Sequence, residues 1–272
     1  MEVVKPVKRN VLLNPGPATT SDAVKYAQVI PDICPREQEF VDIMTRVRKD
    51  LVKVVHGDPE KYTSVIFTGS GTIVQDVLVN SLVPEGKKIL VVNNGAYAAR
   101  MVEIAQYYNI DCVDIQSSTT GLPDLAEVKK AIEEDKDIAV VAAVHHETGT
   151  GVLNPVKEIG RIAHDNDCIF IVDTISTYGL RPLDIEEENI DFLMSSAQKG
   201  LAAMTGASWT VGNIKAIEKS KTFPKRSYYC NLFMQYDFFN RVGEMHFTPP
   251  VQTIYALEQA LKEYFEEGEQ NR

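Results

Sequence analysis

The sequence predicts an α/β fold in which helices cover both faces of a mainly parallel sheet of seven strands. Short runs of β-branched and apolar residues alternate with amphipathic helical stretches along most of the 272 residues. Several of these runs are apolar without alternation, which is typical of strands covered on both faces. A chain in which strands and helices alternate forms a three-layer domain around a parallel sheet.

Each strand candidate is a short apolar run next to a helical or turn-forming stretch. The seven candidates are residues 63–68, 88–92, 110–115, 138–144, 168–173, 190–196 and 207–212. The helix candidates are residues 36–56, 71–82, 96–108, 124–134 and 155–166. In the first of these helices, Phe40, Met44 and Val47 recur at three- and four-residue spacing, which indicates one buried face.

Two regions depart from this alternation. The stretch "LLNPGPATT" at residues 12–20 is too rich in proline and glycine for a regular element. Residues 221–250 are aromatic and show neither the strand nor the helix period, so we expect irregular structure there. Residues 251–272 follow a Pro-Pro pair and are rich in good helix formers. The predicted parts are an N-terminal segment (1–20), a large domain (21–248) and the start of an interdomain helix (249–272).

The composition argues against several classes of function. The formal net charge is −10 at pH 7, which disfavours binding to nucleic acid or to an anionic membrane surface. No apolar run approaches the roughly 20 residues of a membrane span. The four cysteines are scattered without a C-x-x-C pair, and the adjacent His145 and His146 lack a third ligand at a suitable spacing. We therefore predict a cytoplasmic protein with neither a disulfide framework nor a metal site.

A glycine-rich turn follows the first strand candidate. The stretch "FTGSGT" (67–72) ends a strand and begins a helix, so it lies at the carboxyl edge of the sheet, where ligands bind in open parallel sheets. The N–H groups of the helix, the small Gly71 and the hydroxyls of Ser70 and Thr72 suit a phosphate group. The same pattern also occurs as an ordinary strand-to-helix turn, and it is neither a Walker loop nor a G-x-G-x-x-G motif.

Two charged residues follow later strands at the same predicted edge. Asp173 ends the apolar run "IFIVD", where a carboxylate either pairs with a bound cation or caps the next turn. Lys199 follows the run "IDFLMSS", where a lysine is either solvated or has a chemical role. A free lysine is only about 0.04% neutral at pH 7, so a nucleophilic role requires surroundings that favour the neutral amine.

Together, these three features fit pyridoxal phosphate better than any of them does alone. The helix N-terminus takes the phosphate group, Asp173 keeps the pyridine nitrogen protonated, and Lys199 bonds covalently to the aldehyde. We therefore predict that Lys199 and Asp173 are catalytic residues and that pyridoxal 5'-phosphate is the cofactor.

The chain also resembles the class V, fold type I pyridoxal phosphate-dependent aminotransferases. The stretches that carry the resemblance, in the family's order, are "LLNPGPATTS", "FTGSGT", "NNGAYAARM", "HHETGTGVLNPVKEIG", "VDTISTYG", "SSAQKG" and "FTPPVQTIYAL". The chain is most similar to the 2-aminoethylphosphonate–pyruvate aminotransferases, and next to the alanine–glyoxylate/serine–pyruvate aminotransferases. The resemblance implies transfer of an amino group from a small donor, with 2-aminoethylphosphonate favoured, to pyruvate.

The resemblance implies further cofactor-binding residues. Tyr97 matches an aromatic residue that stacks on the cofactor ring, and Thr148 matches a hydroxyl near the phenolic oxygen of that ring. Ile175 matches a cofactor-binding position, and Gln198 matches one that reaches the phosphate. Ordinary structural interpretations also exist: a helix-face aromatic for Tyr97, a turn threonine for Thr148 and a solvated polar residue for Gln198.

Other matches concern the substrate and a second subunit. Asn14 and Gly16 lie in a stretch that resembles the N-terminal loop over the substrate. Thr248 resembles the position that contacts the phosphate of the neighbouring subunit's cofactor, which implies a homodimer with shared active sites. The same threonine is also suited to cap the helix that follows Pro249, and the two roles are compatible.

The sequence departs from the family pattern in two main places. Gly149 interrupts the hydroxyl residues that usually follow the glutamate of "HHETG". The family's small C-terminal domain, which supplies the arginine for the substrate carboxylate, is largely absent, and no motif assigns that role to Arg272. Two other functions therefore stay open: a pyridoxal phosphate-dependent lyase or desulfurase, and a dimeric protein that binds the cofactor without turnover.

Overall fold

A computed structural model of the protein describes residues 10–272 and contains the predicted seven-stranded sheet. Residues 1–9 lie outside the described residues, so the predicted N-terminal segment is described only from residue 10. The strands are β1 (Tyr62–Gly69), β2 (Lys88–Asn93), β3 (Cys112–Gln116), β4 (Ile138–Val144), β5 (His146–Glu147), β6 (Val152–Leu153), β7 (Ile169–Asp173), β8 (Phe192–Ser196) and β9 (Gly206–Asn213). All seven predicted strands are confirmed, and β5 and β6 form a separate hairpin.

The sheet order places the ends of distant strands side by side. The order is β1-β9-β8-β7-β4-β2-β3. The β8–β7, β7–β4, β4–β2 and β2–β3 pairs are parallel, whereas β9 is antiparallel to both β1 and β8. The sheet is therefore mainly parallel, as predicted. Because β9 runs opposite to both of its neighbours, β1 points the same way as β8 and β7, and the carboxyl ends of these three strands lie at one edge.

Helices pack on the sheet and complete the three layers. They are α1 (Asp22–Tyr26), α2 (Gln38–Lys53), α3 (Gly71–Leu82), α4 (Ala96–Tyr107), α5 (Leu125–Glu134), α6 (Val156–His164), α7 (Ile214–Ser220), α8 (Leu232–Val242) and α9 (Val251–Glu267). Helix α3 packs on α4 and contacts β8 and β9, whereas α6 packs on β4 and β7. Helix α2 packs on both β1 and α9. The central strands are almost entirely buried, as expected for strands covered on both faces.

The expectation of irregular structure over residues 221–250 is wrong in part, because helix α8 lies within this region. Asn231 caps the helix by accepting a hydrogen bond from the Met234 backbone N–H at 2.9 Å, and Gly243 ends it in the left-handed region. The buried side chains of the helix recur at helical spacing and are Leu232, Gln235, Tyr236 and Phe239. The many surrounding aromatic residues hide this period in the sequence.

Three further elements were not predicted from the sequence: α1, α7 and the β5–β6 hairpin. Ser21 and Asn213 cap the two short helices by accepting hydrogen bonds from backbone N–H groups. Elements this short contain too few residues for a hydrophobic period to be detected. Helix α9 ends at Glu267, before Gly268 with a φ angle of 81°, so it is shorter than the predicted range 251–272.

The sheet and the helices share one apolar core. Trp209 on β9 is fully buried and packs edge-on against Tyr178, with ring centroids 5.3 Å apart. The Tyr178 hydroxyl donates a hydrogen bond to the Leu51 carbonyl in α2, so the region after β7 is tied to an outer helix. In the described part of the chain, the helices lack the combination of length and apolar composition that would let one cross a membrane.

Close packing inside the sheet generates a stability prediction. Gly212 on β9 pairs with Phe192 on β8, and a Cβ atom at Gly212 would lie 2.3 Å from Phe192 Cδ1. We expect Gly212→Ala to lower the free energy of unfolding by about 1–3 kcal/mol, because the added methyl group overpacks the buried ring. The urea denaturation midpoint measures the change. Gly121→Ala is the control, since the nearest atom to a Cβ there is 3.4 Å away; equal midpoints for both variants would contradict the prediction.

Candidate active site

The carboxyl ends of β1, β7 and β8 carry the residues that the sequence predicts as a site. β1 ends at Gly69, immediately before Ser70 and helix α3. β7 ends at Asp173, and β8 ends at Ser196, shortly before Lys199. Because the three strands point the same way in one part of the sheet, these residues share one edge.

Asp173 is a buried carboxylate that forms no ion pair within the described part of the chain. It is 3% exposed and accepts hydrogen bonds from Gln75 Nε2 at 2.7 Å and from the Ile175 backbone N–H at 2.9 Å. Burial, assisted by the charge of Glu147, raises the pKa of Asp173 to about 6, against the opposing effects of the two hydrogen bonds and of Arg100. A bound cation with an N–H group would stabilise the ionised carboxylate.

The N-terminus of α3 forms a polar cradle at the same edge. Ser70 is the N-cap residue, but its side chain makes no capping hydrogen bond, and Thr72 in the first turn is exposed. Gly71 is buried: a Cβ atom there would lie 2.6 Å from Ile175 Cδ1 and 3.3 Å from Ser196 Oγ. Ser196 Oγ is itself buried and has no hydrogen-bond partner among the described residues. The helix N–H groups and these hydroxyls are donors suited to an anion.

Tyr97, in the first turn of α4, is connected to Asp173 through other side chains. Gln75 Nε2, which donates to Asp173, also lies 3.3 Å from the Tyr97 carbonyl oxygen. Glu147 is fully buried and accepts a hydrogen bond from the Tyr97 backbone N–H at 3.3 Å. This approach requires a glycine at position 95, because a Cβ atom on Gly95 would lie 2.3 Å from Glu147 Cγ. Glu147 therefore takes the place of a side-chain cap for α4.

Lys199 lies beneath the N-terminal segment. Its Nζ donates a hydrogen bond to the Pro15 carbonyl oxygen at 3.3 Å. A Cβ atom at Gly16 would lie 2.4 Å from Lys199 Cδ, so the segment can approach the lysine this closely only with glycine there. The Ala18 N–H donates to the Gln198 carbonyl at 2.8 Å, and Gln198 Oε1 is buried without a partner in the described chain. The structure thus brings Gly16, Gln198 and Lys199 together.

Three predicted site residues are not joined to this cluster. Within residues 10–272, no hydrogen bond links Asn14, Thr148 or Thr248 to the side chains of Asp173 or Lys199. Asn14 is exposed in the N-terminal segment, and Thr148 follows β5 directly. Thr248 is exposed in the connection between α8 and α9. The roles of these three residues stay predictions.

The two adjacent histidines have separate hydrogen-bond partners. His145 Nδ1 lies 2.9 Å from Thr177 Oγ1, and His146 Nδ1 lies 3.1 Å from Ser176 Oγ. Burial lowers the pKa of His145 to about 4, so this ring is neutral at pH 7. Among the residues that the structure describes, no group of three or more His, Cys, Asp or Glu side chains is placed to hold a metal ion.

The fold brings four side chains to the site that were not predicted from the sequence: Gln75, Glu147, Ser196 and Arg100. Gln75 had a weak signal, because it is a polar residue one turn after Gly71 in a helix with many apolar residues, and the structure shows that it is completely buried. Glu147 and Ser196 had a weaker signal, since each lies at the end of a buried strand or next to one. Arg100 had none that separates it from a solvated helix residue.

These features fit pyridoxal phosphate in three respects. The cradle at the N-terminus of α3 offers unused hydroxyl donors to a phosphate group. Asp173 is a buried acceptor that a protonated ring nitrogen can satisfy. Lys199, three residues after the end of β8, offers a primary amine to an aldehyde at the same edge.

Comparison with known proteins places the chain in a family. The Aminotransferase class-V family profile matches residues 22–272. The bifunctional phosphonoacetaldehyde hydrolase/aminoethylphosphonate transaminase of Clostridioides difficile is 37% identical over 95% of this chain, which spans 40% of that protein. The 2-aminoethylphosphonate–pyruvate transaminase of Lysinibacillus sphaericus is 35% identical over 94% of this chain, which spans 70% of that protein.

Solved structures show the same architecture. Alanine–glyoxylate aminotransferase from Nostoc sp. matches with a TM-score of 0.89 and 26% identity, over 99% of this chain and 72% of its own. Ureidoglycine–glyoxylate aminotransferase from Bacillus subtilis matches with a TM-score of 0.87 over 100% of this chain and 70% of its own, and at 23% identity it supports the fold alone. Fold, profile and relatives agree, and the chain therefore belongs to the class V aminotransferases, a family of pyridoxal phosphate-dependent enzymes.

Proposed function

We propose that this protein transfers the amino group of 2-aminoethylphosphonate to pyruvate with pyridoxal phosphate as cofactor. The observation that carries the proposal is the buried Asp173 carboxylate, which lies at the same sheet edge as Lys199 and the N-terminus of α3. The donor and acceptor are those named for the relative from Lysinibacillus sphaericus. Because the chain spans 40% and 70% of the two curated relatives described above, the activity itself is part of the proposal.

In this proposal, the two ends of the cofactor bind different parts of the site. The phosphate binds the first turn of α3, with the N–H group of Gly71, the hydroxyls of Ser70 and Thr72, and the side chain of Gln198. The ring nitrogen faces Asp173. The support is physical: an anion suits a helix N-terminus, and a protonated nitrogen suits a buried carboxylate.

The flat ring of the cofactor also needs apolar surfaces. We assign the two faces to Tyr97 and Ile175, and the surroundings of the phenolic oxygen to Thr148. Ile175 supports this role because its side chain adjoins the position of Gly71, and its backbone N–H bonds to Asp173. The role of Tyr97 is supported by Gln75, whose Nε2 donates to both the Tyr97 carbonyl oxygen and the Asp173 carboxylate.

Pyridoxal phosphate supplies, when bound, an aldehyde that reacts with amines and a ring that accepts electrons. Asp173 holds a proton on the ring nitrogen, which strengthens that electron acceptance. The Lys199 amine removes the proton from the donor carbon that carries the amino group, and it returns a proton in the second half of the reaction. Asn14 and Gly16, in the segment over Lys199, contact the substrate and exclude water.

A second donor class has its own support, because the structure from Nostoc sp. is an alanine–glyoxylate aminotransferase. In that alternative, alanine or serine replaces 2-aminoethylphosphonate as the amino donor. The two donor classes differ in the anion they present, a phosphonate or a carboxylate, so kcat/KM for each donor with pyruvate and with glyoxylate distinguishes them. If the protein binds the cofactor but turns over no combination of amino donor and oxo acid, the non-catalytic dimer is favoured instead.

Lys199→Ala tests the mechanism directly. We expect the variant to lose at least about 100-fold in turnover of 2-aminoethylphosphonate with pyruvate, because it lacks the amine that moves the proton. After borohydride reduction, the intact mass of the wild type should increase by that of the attached cofactor, whereas the variant should show no increase. Lys157→Ala, an exposed lysine on α6, is the control. Full activity in Lys199→Ala would rule out the proposed chemistry.

Asp173→Asn tests whether the carboxylate is placed for a ligand rather than for stability. Burial raises the pKa of Asp173 from 3.8 to about 6 in the folded protein, so the folded state binds the proton more tightly than the unfolded state. The stability that this proton provides is complete at low pH and is lost as the pH rises through about 6. We therefore expect cofactor-free Asp173→Asn to gain about 1–3 kcal/mol relative to wild type between pH 4 and pH 8.

Urea denaturation across this pH range measures the difference. Asp165→Asn is the control, because Asp165 is largely exposed and its side chain pairs with Arg161 at the surface. The same Asp173→Asn variant should bind pyridoxal phosphate more weakly than wild type. If the free energy of unfolding depends on pH in the same way for wild type and Asp173→Asn, the raised pKa of Asp173 is contradicted, independently of the result for cofactor binding.

We also propose a homodimer in which Thr248 contacts the phosphate in the neighbouring subunit. The support is that Thr248 is exposed, lies next to Phe247, and is close to an aromatic surface. Tyr229 stacks on Phe247 with ring centroids 4.8 Å apart, and Tyr228 is 73% exposed. Exposed aromatic clusters of this kind are typical of protein interfaces.

Thr248→Val tests the shared site. We expect the wild type to sediment as a dimer, and the variant to remain a dimer but bind pyridoxal phosphate about three- to tenfold more weakly, because one hydrogen bond to an anion is lost. Thr222→Val is the control, since the exposed Thr222 hydroxyl donates to the nearby Lys219 carbonyl. A monomer at all concentrations, or unchanged binding by Thr248→Val, would contradict the proposal.

A further inference from the structure

Arg100 bridges two helices at the predicted cofactor site. It lies one turn after Tyr97 on α4, and its guanidinium carbon is 5.1 Å from the centroid of the Tyr97 ring. Its Nη1 donates a hydrogen bond to Thr72 Oγ1, in the first turn of α3, at 3.3 Å. A guanidinium group can stack on an aromatic ring and donate hydrogen bonds from its edge at the same time.

Arg100 forms no close ion pair in the part of the chain that the structure describes, although its charge is one of the smaller influences that oppose the rise, caused by burial, in the pKa of Asp173. Several other arginines do form ion pairs, and these are Arg36, Arg46, Arg161, Arg241 and Arg272. Arg100 is half-buried and donates to a neutral hydroxyl instead. It also lies beside the N-terminus of α3, which carries a partial positive charge of its own. Two positive groups this close together form a site that favours a bound anion.

We infer that Arg100 binds the phosphate group of the cofactor at the N-terminus of α3 and, through its contact with the Tyr97 ring, fixes that tyrosine in position. The inference rests on the proposed function, because it requires pyridoxal phosphate. Thr72 links the two parts: its hydroxyl accepts from Arg100 and can donate its own hydrogen to a phosphate oxygen. Arginine then adds charge-assisted hydrogen bonds to those from the helix N–H groups.

The phosphonate of the donor substrate is the other phosphoryl group that could reach this arginine. The contacts favour the cofactor. Arg100 touches Thr72, at the helix terminus assigned to the cofactor phosphate, whereas the donor reacts near Lys199. Within residues 10–272, Lys199 contacts the segment at Pro15 and Gly16, and no hydrogen bond joins Arg100 to that segment.

The test compares pyridoxal phosphate with pyridoxal, which lacks the phosphate group. The dissociation constants of both compounds are measured by absorbance titration for wild type, Arg100→Met and Arg100→Lys. We expect Arg100→Met to weaken pyridoxal phosphate binding about tenfold and to change pyridoxal binding less than about threefold. Arg100→Lys keeps the positive charge, so its dissociation constant for pyridoxal phosphate should lie between those of wild type and Arg100→Met. Arg161→Met, with a side chain 68% exposed on α6, is the control.

Other outcomes would overturn the inference. Equal weakening of both compounds by Arg100→Met would show that the arginine only supports the local structure. An increase in KM for 2-aminoethylphosphonate with unchanged cofactor binding would assign the anion to the donor. If the wild type binds pyridoxal phosphate no better than pyridoxal, both this inference and the proposed phosphate site are overturned. If the wild type prefers pyridoxal phosphate and Arg100→Met binds it equally well, the inference alone is overturned.

Discussion

The site depends on one unfavourable placement, the burial of the Asp173 carboxylate at the end of β7. Removal from water destabilises the charged form, and its two hydrogen bonds offset this only in part, so the pKa remains raised at about 6. The neighbouring groups are arranged around this carboxylate: Gln75 is turned inward from α3 to donate to it, and the chain turns after β7 so that the Ile175 N–H also points to it. A fold can keep such a group only where the surrounding sheet is stable enough to hold it.

The second feature is how closely separate segments approach one another. Gly95 lets the buried Glu147 reach the start of α4, and Gly16 lets the N-terminal segment lie directly on Lys199. A side chain at either position would push apart two segments that must meet for the site to form. The positions of Tyr97 and Lys199 are therefore determined by contacts with distant parts of the chain, not by the helix or strand that carries each of them.

These contacts explain how much the sequence could predict. Buried strands require apolar side chains on both faces, so all seven strands of the sheet were detectable, and Asp173 and Lys199 stood out as charges at their ends. Gln75 lies 98 positions from Asp173 in the sequence, and no local pattern connects them. Helix α8 was hidden for a different reason: its buried residues follow the helical period, but the half-buried Phe233 and Phe238 between them obscure it. The roles of Glu147 and Arg100 likewise arise only when β5, α3 and α4 are brought together.

The charges at the site are also separated. Asp173 and Glu147 make one end negative, while the N-terminus of α3 and Arg100 make the other end positive. A nucleotide phosphate would suit only the positive end, and a simple amine only the negative end. A ligand with a protonated ring nitrogen at one end and a phosphate at the other neutralises both. Helix α3 connects the two ends, because it carries both Gln75, which donates to Asp173, and Thr72, which accepts from Arg100.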